Sequence, residues 1–121
     1  MSPLPDTFDT LAEDIHSWAR GKGFYDRERL VVRDALTGDV EGRPVNPSLP
    51  SEKLMLIVSE VAEAQEALRD GDRAHESEEV ADILIRVLDY AAWRGISLDR
   101  EVAAKMEKNE VRPRLHGRVA F

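Results

Sequence analysis

The stretch SEKLMLIVSEVAEAQEALRDGDRAHESEEVADILIRVLDYAAWRG, residues 51–95, decides the fold. It contains two pairs of acids, Glu60-Val-Ala-Glu63 and Glu79-Val-Ala-Asp82, each inside an apolar run with helical spacing. Residues three positions apart project from the same face of a helix. An Asp-Gly-Asp turn separates the runs. If the two helices pack antiparallel, the four carboxylates meet in one small space.

Four carboxylates cannot all stay ionised side by side without a compensating cation. Oxygen ligands suit Mg²⁺, which keeps several waters and is often completed by substrate phosphates. The pattern therefore predicts metal-assisted chemistry on a phosphorylated small molecule. The plainer alternative is that the acids are ordinary surface residues and that Asp82 and Arg86 form a mild ion pair one turn apart. Two pairs on consecutive helices favour the metal-binding interpretation.

Composition indicates one globular domain over residues 1–121, because 42% of the residues are hydrophobic and 34% are charged. The net charge of −7 argues against a nucleic-acid binder. The chain has no cysteine, which excludes thiolate sites. No apolar run suits a membrane span, and the first residues do not resemble a signal peptide, so we expect a cytoplasmic protein without a membrane partner.

Apolar periodicity and capping signals predict an all-α bundle of four main helices, over about residues 7–22, 48–70, 76–94 and 98–112. Between the first two, residues 24–50 contain many Gly and Pro and are interpreted as an irregular connection, acting as a lid or an oligomer contact. Residues 26–36 within it are compatible with a short helix. The third helix is apolar nearly all round, which predicts a central position or cover by a second subunit.

The predicted core of the second helix is one stripe at helical spacing: Leu54, Ile57, Val58, Val61, Gln65 and Leu68. Trp18 and Trp93 also lie at apolar helical positions. Core packing is the first interpretation for both, and stacking on a nucleobase is the alternative.

The last helix ends in a group of polar donors with a common face, Lys105, Asn109 and Arg112, followed by Arg114. Lys and Arg neutralise phosphate oxygens, and Arg does so with two parallel hydrogen bonds. These residues are therefore candidates for binding substrate phosphates. Cations that meet the negative end of the helix dipole are the alternative.

A di-iron centre is disfavoured. Glu13-x-x-His16 matches half of a carboxylate-bridged di-iron motif, but neither His75 nor His116 completes a second half.

Taken together, the motifs resemble a known family. Lys53-Leu, Ser59-Glu60-Val-Ala-Glu63-Ala, Glu79-Val-Ala-Asp82-Ile, Gly95-Ile-Ser-Leu and Lys105-Met-x-x-Asn109-x-x-Arg112-Pro113-x-x-His116-Gly117 are similar to the MazG-like all-α nucleoside triphosphate pyrophosphohydrolases. The resemblance covers about residues 51–121.

The resemblance implies a helical bundle completed by oligomerisation, as a homodimer or a tetramer built from dimers. It implies Mg²⁺-dependent hydrolysis of a nucleoside triphosphate to the monophosphate and pyrophosphate, with Mn²⁺ as a substitute, in the clean-up of nucleotide pools. By position, the metal ligands would be Glu60, Glu63, Glu79 and Asp82. Either Glu60 or Glu63 would instead act as the catalytic base.

The same resemblance implies that Lys105, Asn109 and Arg112 hold the phosphates. Trp18 or Phe24 is a candidate contact to the base.

The sequence leaves two alternative functions open. One is a non-catalytic acidic helical module that dimerises or binds a partner. The other is a pyrophosphohydrolase acting on a phosphoribosyl compound.

Overall fold

A computed structural model of the protein describes residues 7–28 and 46–113. These residues form four helices and no strand, which confirms the all-α prediction: α1 Thr7–Gly21, α2 Leu49–Arg69, α3 Arg73–Arg94 and α4 Leu98–Glu110. α3 begins earlier than predicted because the Asp72 side chain accepts a hydrogen bond from the His75 amide and caps the helix. Most of the proposed connection over 24–50, and most of its proposed short helix, lie outside the described residues.

α3 is the central helix, as its composition predicts. α2 packs along one side of it, α1 packs along another, and α4 packs on α1. Leu88 and Ala91 of α3 are almost fully buried. α3 ends at Gly95, whose φ of 69° is a left-handed conformation that glycine adopts without strain. Within the described residues, no helix is long and apolar enough to cross a membrane.

The first turns of α1 and α4 cap one another. The Asp99 carboxylate accepts hydrogen bonds from the backbone amides of Phe8 and Asp9, at 3.0 and 3.2 Å. The Asp9 carboxylate in turn accepts from the Ser97 hydroxyl at 2.6 Å and from the Asp99 amide. The Ser97 hydrogen bond lowers the pKa of Asp9. These reciprocal bonds satisfy amides that have no partner inside their own helices, and they fix α4 against α1.

The predicted core stripe of α2 is wrong for the single chain. The α2 positions buried in the fold are Leu49, Glu60 and Ala67. The stripe residues other than Ile57 are exposed, among them Leu54 (45%), Val58 (53%), Val61 (49%) and Leu68 (57%). Neighbouring helix positions differ by about 100° in direction. The face that carries Glu60 packs on α3, so the stripe that carries Val61 is turned away.

Only one of the two tryptophans is a core residue. The Trp93 ring packs on the buried cluster of Ala19, Tyr25 and Leu49, as predicted. Trp18 is 53% exposed, so core packing was the wrong prediction for it. Its ring meets Phe24 edge-to-face, with the centroids 5.5 Å apart. The α1 residue buried in that region is the small Ala19, which lets the turn after α1 approach closely.

Candidate functional site

Three of the four predicted acids meet between α2 and α3. One carboxylate oxygen from each of Glu60, Glu79 and Asp82 lies within 4.8 Å of the others. Glu60 and Glu79 are 9% and 7% exposed, whereas Asp82 is open to solvent. The helix spacing and the antiparallel packing of α2 on α3 bring these side chains together. We call this group the acidic cluster.

The acidic cluster contains a buried polar atom without a protein partner. Oε2 of Glu79 is buried and accepts no hydrogen bond among the described residues, while Oε1 lies 3.2 Å from His75 Nε2. A buried oxygen without a donor destabilises the fold unless a proton or a cation reaches it. The Oε2 atom of Glu79 therefore favours the binding of a proton or a cation at the cluster.

The carboxylates of the cluster perturb one another. The neighbouring Glu60 carboxylate, together with burial and the nearby Glu63, raises the pKa of Glu79 to about 7. The same interaction with Glu79, aided by the Arg86 guanidinium and opposed by burial, lowers the pKa of Glu60. The closeness of these carboxylates therefore favours the binding of a proton or a cation in the cluster.

The fourth acid, Glu63, stands at the rim. It is exposed, and it is not one of the three residues whose oxygens converge within 4.8 Å. It is still close enough to Glu79 for its charge to raise the pKa of that group. Glu63 therefore lies beside the cluster and, unlike Glu60 and Glu79, is not one of its converging carboxylates.

The cluster fits a hard divalent cation. Its donors are carboxylate oxygens only, it has an orphaned buried oxygen, and it has an exposed side at Asp82. Mg²⁺ and Mn²⁺ prefer such oxygen donors and keep open positions for water or substrate. The residues that would hold the ion are those of the acidic cluster, with Glu63 beside them.

A cavity of about 500 Å³ adjoins the cluster. α1 and the turn after it supply one wall, which includes Ile15, Trp18 and Phe24; α3 supplies the other, which includes Asp82 and Arg86. The cavity is in the size range of small-molecule sites, and its lining combines apolar and aromatic side chains with charged ones. Asp82 belongs to both the cavity and the acidic cluster, so a ligand in the cavity reaches the cluster.

A polar network lies beside this cavity, and Asp89, one of its members, lines the cavity. Asp89 accepts hydrogen bonds from Tyr25 Oη at 2.7 Å and from His16 Nδ1 at 2.8 Å. Arg20 donates to His16 Nε2 and pairs with both oxygens of Glu28. Because arginine has no acceptor, His16 Nε2 must accept, and Nδ1 carries the proton. His16 therefore orients Asp89 and Tyr25, and it lies outside the acidic cluster.

Sequence reasoning missed several of these residues. Arg86 was interpreted as a mild partner of Asp82, but its Nε donates to Glu60 at 2.9 Å across the helix interface. Asp89 and Tyr25 carried no motif of their own. A hint lay in the i, i+4 spacing of His16 and Arg20, which places two polar side chains on one face of α1.

The family of the chain follows from its match to known proteins. Residues 50–116, more than half of the chain, match the family model of the MazG nucleotide pyrophosphohydrolase domain. The chain belongs to the MazG family. The resemblance noted in the sequence is thereby confirmed, and the matched region contains both acidic pairs. No solved structure matches the chain significantly.

One curated relative is similar to part of the chain. The dATP/dGTP diphosphohydrolase of Cyanophage S-2L is 36% identical over 70 residues, which are 57% of this chain and 63% of that protein. The match thus spans less than two thirds of the relative's length.

The predicted phosphate-binding residues of this MazG domain are not next to the acidic cluster within one chain. Lys105 and Asn109 are exposed on α4, which packs on α1. In the described part of the chain, neither side chain forms a hydrogen bond or an ion pair. Arg112 is exposed as well, and Arg114 lies outside the described residues. Their role stays a prediction.

The raised pKa of Glu79 predicts a pH-dependent stability of the metal-free protein. A carboxyl group with a folded pKa of about 7 and an ordinary value of 4.5 stabilises the fold when protonated, and this contribution is lost as the pH rises through 7. We expect the melting temperature of the wild type in EDTA to fall as the pH rises from about 4.5 to about 7, and to level off above that. Glu79→Gln, which cannot ionise, should flatten this fall and melt higher than the wild type at pH 8.

Glu78→Gln is the matched control, because Glu78 is exposed on the same helix. It should follow the wild-type pH profile. Equal pH profiles for Glu79→Gln and the wild type would contradict the close packing of Glu79 with Glu60 and Glu63.

Proposed function

We propose that this MazG-family chain hydrolyses a nucleoside or deoxynucleoside triphosphate to the monophosphate and pyrophosphate, with Mg²⁺ at the acidic cluster. The observation that carries the proposal is the orphaned, buried Oε2 of Glu79 among converging carboxylates, beside a cavity with an aromatic wall. A cation would satisfy the oxygen, and a nucleotide would bring its phosphates to the cation.

The side chains divide the work by position. Glu60, Glu79 and Asp82 hold the cation, which when bound offsets the charge of the triphosphate and orients the leaving pyrophosphate. Glu63 takes the proton from the attacking water. Of the two candidates for the base, Glu60 is the less available, because it is buried and bonded to Arg86. Glu63 is exposed at the rim and has room for a water.

Purine deoxynucleotides are the first substrates to test. The cyanophage relative is named a dATP/dGTP diphosphohydrolase, and the aromatic wall of the cavity offers a stacking surface for a base.

We propose a cytoplasmic role in removing surplus or damaged nucleotides, with residues 1–121 acting as one domain.

A nucleotide panel tests the proposed function. Each common ribo- and deoxynucleoside triphosphate is incubated with the protein in Mg²⁺, in Mn²⁺ and in EDTA, and both pyrophosphate and monophosphate are measured. We expect metal-dependent release of the two products in equal amounts from at least one nucleotide.

The same panel separates the alternatives. Binding of Mn²⁺ without turnover of any nucleotide would favour an acidic binding module. Turnover of phosphoribosyl-ATP, but of no free nucleotide, would favour the phosphoribosyl substrate.

We predict that Trp18 stacks on the base. Its ring is exposed, lines the cavity and is braced edge-to-face by Phe24. Loss of one aromatic contact of about 1 kcal/mol corresponds to a rise in KM of roughly fivefold, with kcat little changed. Trp18→Ala should show this rise, and Trp18→Phe, which keeps a ring, should show less. An unchanged KM and base preference in Trp18→Ala would rule out the contact.

We propose that two copies of the chain cover the exposed stripe of α2. Leu54, Val58 and Val61 are each about half exposed, and they follow one another at helical spacing. A second copy offers the same uncharged stripe, which is the self-complementary arrangement of a twofold dimer. Lys105, Asn109, Arg112 and Arg114 are proposed to contact substrate phosphates in this assembly.

Val58→Asp should convert the oligomer to a monomer, because it places a charge in the apolar contact. Light scattering on a sizing column measures the mass of the wild type and the variant. Glu66→Gln, an exposed change on the same helix, is the control and should keep the wild-type mass. A monomeric wild type at micromolar concentration would contradict the proposal.

A further inference from the structure

Arg86 stands where the acidic cluster meets the cavity. It follows Asp82 by one turn of α3, and its side chain crosses to α2, where Nε lies 2.9 Å from Glu60 Oε1. The same side chain lines the cavity together with Trp18 and Phe24. About a third of it (36%) is exposed, so it is accessible from the cavity.

Among the described residues, most of the hydrogen-bonding groups of Arg86 have no partner. A guanidinium has five N–H donors, and the four on Nη1 and Nη2 form a fork that matches a phosphate or a carboxylate. Within residues 7–28 and 46–113, only Nε of Arg86 has a protein partner. The bond to Glu60 therefore anchors the side chain at Nε and leaves the Nη donors free for a ligand.

The position of Arg86 relative to the aromatic wall of the cavity indicates which group of the ligand its Nη atoms contact. A nucleotide with its base against Trp18 has its α-phosphate next to the sugar, and the β- and γ-phosphates further along the chain. Arg86 and Asp82 lie in the same cavity as the aromatic wall. With the base against Trp18, the α-phosphate is the phosphate nearest to the base, and it is therefore the one we expect at Arg86.

We propose that Arg86 binds the α-phosphate of the nucleotide through its Nη atoms, and that its Nε bond to Glu60 holds the guanidinium in position. The inference rests on the proposed function, since it needs a nucleotide in the cavity. It adds a substrate-binding residue on α3 to the acids of the cluster. It also gives a role to the hydrogen bond between Glu60, a proposed metal ligand, and Arg86. This bond fixes the distance between the metal site and the phosphate that Arg86 binds.

Binding measurements test Arg86 without relying on turnover. The probes are Mn²⁺ alone, a non-hydrolysable α,β-methylene nucleotide of the preferred base with Mn²⁺, and the matching nucleoside monophosphate with Mn²⁺. Affinities are measured by calorimetry for the wild type, Arg86→Gln, Arg86→Lys and the control Arg69→Gln, whose residue is exposed on the last turn of α2.

We expect Arg86→Gln to weaken both nucleotide probes by roughly 10- to 100-fold, the range for losing hydrogen bonds to a charged group. Its affinity for Mn²⁺ alone should stay equal or rise, because a cation that competes for Glu60 has been removed. Arg86→Lys keeps the charge but not the fork, so its affinities should lie between those of the wild type and Arg86→Gln. Arg69→Gln should match the wild type.

Several results would overturn the proposal. Unchanged nucleotide affinity in Arg86→Gln removes Arg86 from the substrate site. A weaker triphosphate analogue with an unchanged monophosphate removes the α-phosphate assignment. Loss of Mn²⁺ and nucleotide binding together, with a lower melting temperature, assigns Arg86 to holding the fold; if Arg86→Gln does not fold, Arg86→Lys decides by the same criteria. No nucleotide binding by the wild type refutes the proposed function itself, whereas wild-type binding with an unaffected Arg86→Gln refutes only the role of Arg86.

Discussion

Glu63→Gln is expected to lower the rate of metal-dependent pyrophosphate release by at least about 100-fold, the lower end of the range for losing a general base. Glutamine keeps the size of the side chain but cannot accept the proton of the attacking water. Because Glu63 is outside the group of converging oxygens, the variant should still bind Mn²⁺. Pyrophosphate release and Mn²⁺ affinity are measured on the same preparations.

Two control variants give this result its meaning. Asp82→Asn changes a member of the acidic cluster and should lose both Mn²⁺ affinity and activity. Glu66→Gln removes an exposed acid from the same helix as Glu63 and should keep both. Full activity in Glu63→Gln would transfer the role of the base to another group.

Leu88→Ala is expected to lower the free energy of unfolding by about 2–5 kcal/mol. Leu88 is 1% exposed and lies in the C-terminal half of the central helix, so the substitution leaves a cavity that the neighbouring side chains fill only in part. Denaturant unfolding in EDTA measures the change without a contribution from metal binding, and the use of one protein concentration for both proteins allows their unfolding to be compared directly.

The control for this substitution is Val111→Ala. Val111 follows α4 and is 83% exposed, so its loss should change the free energy of unfolding by less than about 0.5 kcal/mol. If Leu88→Ala were as stable as this control, the packing of α3 between α1 and α2 would have to be wrong.

Much of this architecture could be predicted from local patterns. The glycines and caps that end and begin the helices act through nearby backbone groups, so the predicted boundaries agree with the structure to within a few residues. The convergence of Glu60 with Glu79 and Asp82 also follows from local spacing plus one assumption, the antiparallel packing of two consecutive helices. A short turn makes that packing the default.

The errors concern which face of a helix is buried. Apolar spacing identified the stripe of Val58 and Val61, but the structure packs the neighbouring face, with Glu60, on α3. The prediction for Trp18 was wrong for the same reason. Trp18 lies at an apolar position of α1, but the smaller Ala19 occupies the buried position. Periodicity measures only that one face is apolar. Apolar periodicity does not distinguish a face that is buried inside one chain from a face that binds another chain or a ligand.

The sequence by itself determined the all-α fold and, to within a few residues, the helix ends, because both depend on residues within a few positions of one another. Only the tertiary structure decided that Arg86 bonds Glu60, that His16 and Tyr25 share Asp89, and that a cavity opens between α1 and the acidic cluster. These features join residues far apart in the chain. Their formation depends on the rotation and depth at which the helices pack, and those quantities follow from the fit of all the side chains together.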